Sequence, residues 1–190
     1  MGKNIKIILA VGMIVFILLV TGGGAVYASN ASVPGDLLFP IDIAAENVRR
    51  RFIKGTARSV EYEVDIMYER VSELEEVEEE GDSDSIGKSI EEVDKQQERV
   101  QEEVQHMEQE CSEGKIDEAV LNRVMERVRL QTEEHVSKME EVSNKQMEKG
   151  NDQAAQAIEE AIQKQEEMRQ QWEEKFQDKG SSQGQGRGVQ

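Results

Sequence analysis

Apolar residues recur along most of the chain in alternating steps of three and four, the spacing that collects them on one face of an α-helix. Four such stripes follow Pro40. The first is Val60, Val64, Met67, Val71 and Leu74, and the second Ile86, Ile90, Val93, Val100, Val104 and Met107. The third is Leu121, Met125, Val128, Met139 and Val142, and the fourth Ala154, Ile158, Ala161, Met168, Trp172 and Phe176. A 4-3 repeat is that of a coiled-coil seam, so each helix is predicted to bury one stripe. No stretch past Pro40 alternates with the period of two that a half-buried strand needs, and no further proline interrupts the pattern.

The stripes are separated by Gly81-Asp82, Gly114-Lys115 and Gly150-Asn151-Asp152, which divide the body into four segments of roughly 30 residues each. Asp82, Asp117 and Asp152 stand where a helix takes an N-cap or a first-turn acid. Short connections between helices of similar length predict antiparallel neighbours. The expected fold is therefore all-α: an N-terminal transmembrane or signal helix, then a four-helix antiparallel bundle or paired long helical hairpins. Gln97, Thr132, His135 and Gln165 interrupt the seams, and if they share one layer they fix the register of the helices at a cost in stability.

The N-terminal pattern is different. Lys3 and Lys6 precede an uncharged stretch of 22 residues from Ile7 to Ala28, long enough at about 1.5 Å per residue to cross a bilayer. Basic residues stay on the cytoplasmic side, so the N-terminus is expected inside and the remainder outside. The most apolar part, Ile7 to Val20, is short, and Val26-Tyr27-Ala28 suits a signal peptidase, so both a retained anchor and cleavage after Ala28 fit. The expected organisation is a signal or anchor segment at 1–28, a turn and apolar plug at 29–43, an acidic helical domain at 44–179 and a disordered Gly/Ser/Gln tail at 180–190. Asn30-Ala31-Ser32 is a glycosylation sequon.

Charge narrows the partners. The chain carries −17, and residues 1–28 hold two of its 23 basic residues and none of its 40 acids, leaving −19 on the rest. Such a body repels nucleic acid and anionic lipid, and basic partners or loosely held cations suit it better. Membrane contact is expected through the N-terminal segment alone. Self-association through the heptad seams is the other expected contact.

Candidate chemistry is sparse. Cys111 is the single cysteine, so no intramolecular disulfide forms, and at a helical position it is expected to act as a small buried hydrophobe. Glu103-Val104-Gln105-His106 is a Glu-x-x-His, the spacing that supplies metal ligands from one helix of a dimetal bundle. The second histidine reads Thr132-Glu133-Glu134-His135, with threonine where the first carboxylate belongs, so Glu103 and His106 are isolated metal candidates. Met67, Met107, Met125, Met139, Met147 and Met168 lie at or near the seams and are expected to fill the core. No cofactor and no catalytic residue are expected.

Both prolines fall in Val33-Pro34-Gly35-Asp36-Leu37-Leu38-Phe39-Pro40-Ile41, followed by Glu46. Pro34-Gly35 predicts a type II turn and Pro40 the first turn of a helix, with Leu37, Leu38 and Phe39 folding back as an apolar plug on the bundle end. This stretch resembles the Pro-Gly-Asp-x-Leu-Tyr-Pro-hydrophobic-Lys-x-x-x-Glu signature of a bacterial and archaeal domain-of-unknown-function family, numbered 5667, found just outside a membrane segment. Pro34, Gly35, Asp36, Leu38, Phe39 and Pro40 carry the resemblance, with Phe39 replacing Tyr and Asp42 replacing Lys. It extends more loosely through Arg49, Arg50 and Arg51, Gly81-Asp82, and His135-Val136, over residues 29–170. The resemblance implies an extracytoplasmic helical domain and no activity. The expected function is a non-enzymatic extracytoplasmic module for protein interaction or envelope sensing. The alternatives are an envelope metal-binding or buffering protein, and a self-associating coiled-coil structural protein.

Overall fold

A computed structural model of the protein describes residues 32–81 and 83–182, with residues 83 and 176–182 as backbone only. The segment at 1–28, Asn30, Asp82 and the tail from residue 183 lie outside the described residues. Among those described there are five helices and no strand: α1 Phe39–Phe52, α2 Thr56–Glu80, α3 Ser83–Ser112, α4 Glu118–Glu148 and α5 Asp152–Ser182. The chain forms two compact units that divide between Phe52 and Ile53.

The first unit contains the Pro-Gly-Asp stretch. Asp36 N donates to Val33 O at 3.0 Å, and Gly35 has φ 119° at the third position of that turn, the site where a type II turn needs glycine. Pro40 falls in the first turn of α1, where its missing N–H costs nothing. Of the residues expected to form a plug, Leu37 is 95% exposed, Leu38 is also exposed and Phe39 is half-buried. Phe39 N bonds Asp36 O and Ile41 N bonds Leu38 O, so the turn runs directly into α1.

Gly55, with φ 91°, separates α1 from α2 inside what the hydrophobic pattern presents as one segment. A lone glycine in a helical pattern does not have to break it, and here a positive φ does.

The second unit is a bundle of α2 to α5. Gly81 closes α2 in the left-handed region, its N–H bonded to Val77 O at 3.1 Å, and the chain turns back into α3. Residues 149–151 turn α4 back into α5 in the same way, with Gly150 at φ 75°. Each of these hairpins is antiparallel. Between hairpins α2 packs on α4 and α3 on α5, while α3 and α4 face each other only weakly across the diagonal. Asp65 meets Arg127 and Glu75 meets Lys138 at sequence separations of 62 and 63, and the near-constant offset shows α2 and α4 running parallel. Asp94–Lys164 and Glu108–Lys175, separated by 70 and 67, show the same for α3 and α5. The paired hairpins and the four-helix bundle are thus one structure, but neighbours are antiparallel only within a hairpin, because the link between α3 and α4 joins diagonal helices.

The predicted stripes form the core. Every residue of the first three is buried, and so are Ile158, Ala161, Met168 and Trp172 of the fourth. Ala155 takes the place expected for the half-buried Ala154, and Phe176 has no described side chain. Ile66, Val77, Val124 and Ile162 are buried as well, widening each stripe because each helix touches two neighbours. Met147 is exposed, and Gln146 occupies the interior instead. Asp117 is the extended N-cap residue of α4 but makes no side-chain cap bond, while Asp152 supplies a first-turn acid to α5. Helix α5 continues to Ser182, past the tail boundary expected at Gly180, since a last turn can propagate on backbone bonds to carbonyls already in the helix.

Candidate functional site

The four seam-breaking residues meet. Gln97 of α3, Thr132 and His135 of α4 and Gln165 of α5 line one chamber of about 10 Å³ with Val64, Met67, Val100 and Met168, and all four helices of the bundle contribute. Thr132 Oγ1 donates to Val128 O at 2.8 Å and Gln165 Nε2 to Met139 Sδ at 3.3 Å. Gln97 Oε1 and His135 Nε2 have no hydrogen-bond partner among the described residues. The chamber is about the size of one water molecule, so it cannot admit a substrate.

His135 is held from the side by Tyr68, ring centroids 6.0 Å apart and tilted by 49°. Lys138 Nζ lies 4.6 Å from the centre of the same Tyr68 ring and 2.8 Å from Glu75 Oε2. The Glu75 carboxylate raises the Lys138 pKa and keeps the ammonium charged. Burial, with the Lys138 charge added to it, lowers His135 to about 4, so the imidazole is neutral at neutral pH.

Other buried polar groups also join helices. Gln96 Nε2 donates to Glu63 O at 2.7 Å and to Glu63 Oε2 at 2.8 Å, tying α3 to α2. Lys149 Nζ reaches the buried Glu78 carboxylate at 2.6 Å and also Glu78 O at 3.0 Å, tying the end of α4 to that of α2. Thr56 Oγ1 donates to Glu110 Oε2 at 2.7 Å, fixing the start of α2 against α3.

Glu103 and His106 are not assembled into a ligand set. Val104 and Met107 point into the core, which leaves Glu103 half-buried and His106 57% exposed on the outer side of α3. The carboxylate near His106 is that of Glu110, with Oε1 3.9 Å from Nε2. Among the described residues no three His, Cys, Asp or Glu side chains gather as a metal would require. Cys111 is half-buried near the end of α3 rather than a core residue. Of the signature residues, Pro34 and Gly35 build the turn, and Asp36 Oδ2 accepts from Val33 N at 3.3 Å.

One feature of α1 has no counterpart in the expectations from sequence. Ile41, Val48 and Phe52 are 40%, 55% and 76% exposed, while Asp42 and Glu46 are buried. At 100° per residue the three apolar side chains fall within an arc of about 40°, with Arg49 and Arg51 about 80° to either side of its centre. Both arginines are exposed. Arg50 lies on the opposite side of the helix, its Nη2 3.6 Å from Glu46 Oε2 and its Nη1 donating to Asn47 Oδ1 at 2.8 Å. The helical spacing Ile41, Val48, Phe52 was the available signal, obscured by the acidic and arginine residues between.

Comparison with curated proteins and with solved structures found no match. A family model does match, over residues 31–148, a range that ends with the last residue of α4 and so is shorter than the 29–170 expected from the signature. By that match the chain belongs to the family described as Domain of unknown function (DUF5667).

Proposed function

We propose that the protein is a membrane-targeted, extracytoplasmic helical module that acts by binding another protein and catalyses no reaction. The observation that carries this reading is how the bundle divides its polar groups. Buried ones hold helices together, as in Gln96–Glu63, Lys149–Glu78 and Gln165–Met139, and the chamber beside His135 has room for about one water. Many of the other described acids are exposed. Glu76, Glu79 and Glu80 are exposed at the C-terminal end of α2, which has no basic residue in its last turn to offset the carbonyl dipole. An acidic exterior favours a basic protein surface as partner. Lys3 and Lys6 before the apolar stretch support placement of the bundle outside the membrane.

The test is crosslinking in intact membranes followed by recovery of the full chain and identification of what is attached. A specific partner is expected, with a crosslink that maps to the bundle and weakens as salt is raised. Recovery of the chain alone under several growth conditions refutes the binding role, and recovery of crosslinked copies of the chain favours self-association instead. Protease applied from outside the membrane should reach the linker at Gly114; protection there refutes the orientation.

A further inference from the structure

We infer that α1 is an interfacial helix that lies on an anionic lipid surface, with Ile41, Val48 and Phe52 entering the boundary between headgroups and acyl chains and Arg49 and Arg51 pairing with lipid phosphates. The inference rests on the membrane targeting proposed for residues 7–28, and it deepens that reading by giving the membrane a second point of contact.

Three observations point to lipid. The first is the wheel geometry: an exposed apolar arc with a guanidinium on each flank is the arrangement of helices that lie in the plane of a membrane interface, because long basic side chains can reach headgroups while the apolar arc sinks. The second is charge. In a chain of −17, Arg49-Arg50-Arg51 is the one place where three basic residues stand in succession, with Lys54 close behind, and the acids of α1, Asp42 and Glu46, are buried rather than turned outward with the apolar arc. The third is reach. Ten residues, Ser29 to Leu38, separate the apolar stretch from α1, and they span at most about 35 Å even when fully extended. A helix tethered so close to a bilayer meets it at high effective concentration, so three apolar side chains and two flanking charges suffice for docking that would be marginal for a free peptide.

The net charge of the body predicts repulsion from anionic lipid. That prediction averages over residues that the fold separates, since α1 belongs to a different compact unit from the acidic bundle.

The test uses the full chain with Cys111→Ser, reconstituted in vesicles of phosphatidylcholine alone or mixed with phosphatidylglycerol. An environment-sensitive fluorophore is attached at Phe52→Cys or, as a control on another side of α1, at Asn47→Cys. In the anionic vesicles the probe at 52 should shift to the blue and resist aqueous iodide, while the probe at 47 stays accessible. Replacing Arg49, Arg50 and Arg51 with Gln should weaken docking by about fivefold per arginine that faces the headgroups, the factor expected for one basic residue near an anionic surface. Unfolding of the bundle, followed through Trp172, should not change in that variant. Equal accessibility at 52 and 47 overturns the inference, as does shielding at 52 that ignores either the lipid charge or the arginines. Shielding that appears in detergent and grows with protein concentration overturns it in favour of a second copy. None of these outcomes bears on whether the bundle captures a protein partner, so the two readings fail separately.

Discussion

The His135 layer makes stability depend on pH in a way that one substitution should remove. The unfolded imidazole titrates near the ordinary value of about 6.5, whereas burial, with Lys138, holds it at about 4 in the folded chain. Between those values the unfolded chain binds a proton that the folded chain does not, so stability falls as pH drops from 6.5 toward 4 and levels off below. Linkage over that interval gives a loss of about 2 kcal/mol on going from pH 7 to pH 5, and about 3 kcal/mol in full below pH 4. Carboxylates as a class also titrate at low pH, so the acid sensitivity of the wild-type chain alone is not informative. The informative quantity is its difference from His135→Leu, an apolar replacement in which every carboxylate remains. Trp172, the single tryptophan and a buried residue of α5, reports urea unfolding of the bundle. Both proteins should lose stability from pH 7 to pH 5, the wild type by about 2 kcal/mol more, whatever their starting values. Equal slopes, within about 0.5 kcal/mol, would mean that His135 is solvated or paired in the folded state and that its burial without a partner is wrong.

Other expectations follow from single positions. Gly55→Ala meets no neighbouring atom but keeps φ 91°, so it should cost about 1–2 kcal/mol in thermal unfolding through backbone strain alone; no change would mean that the break between α1 and α2 relaxes freely. Leu74→Ala, at a fully buried site, should cost about 2–5 kcal/mol, while Lys164→Ala, which breaks an exposed pair with Asp94, should cost under about 1 kcal/mol; a reversed order in urea titrations would refute the assignment of core and rim. Ending the chain after Glu148, where the family match stops, removes Ile158, Met168 and Trp172 from the core, and the remainder should bind a hydrophobic dye and lose cooperative unfolding in calorimetry. Retention of a sharp transition would show that α2 to α4 fold without α5.

What could be read from the sequence was whatever depends on one helix at a time. The period of the apolar residues located the buried faces, and Gly81, Gly114 and Gly150 marked helix ends, each now seen with a positive φ. Even the polar layer was visible, because Gln97, Thr132, His135 and Gln165 stand where the seam calls for apolar residues. Relations between helices were not legible. The parallel packing of α2 on α4 shows in the matched offsets of Asp65–Arg127 and Glu75–Lys138, but among so many charges those pairs are recognisable only once the helices are in place. Gln146 illustrates a local failure. It takes an interior position because its Oε1 accepts from Asn151 Nδ2 at 2.9 Å and its carbonyl accepts from Asn151 N, which closes the turn into α5, and Met147 is displaced to the surface.

That Leu37, Ile41, Val48 and Phe52 remain exposed bears on how the net charge should be used. A value of −17 describes the force on a distant ion, but with screening over about 8 Å at physiological salt a surface in contact feels only the charges beside it. The bundle and α1 then obey opposite rules: the former should bind cationic surfaces and the latter anionic ones. Added salt weakens both and cannot separate them. Changing the sign of the surface can, since vesicles made cationic should release α1 while attracting the bundle, and a basic protein partner should occupy the bundle without competing for α1.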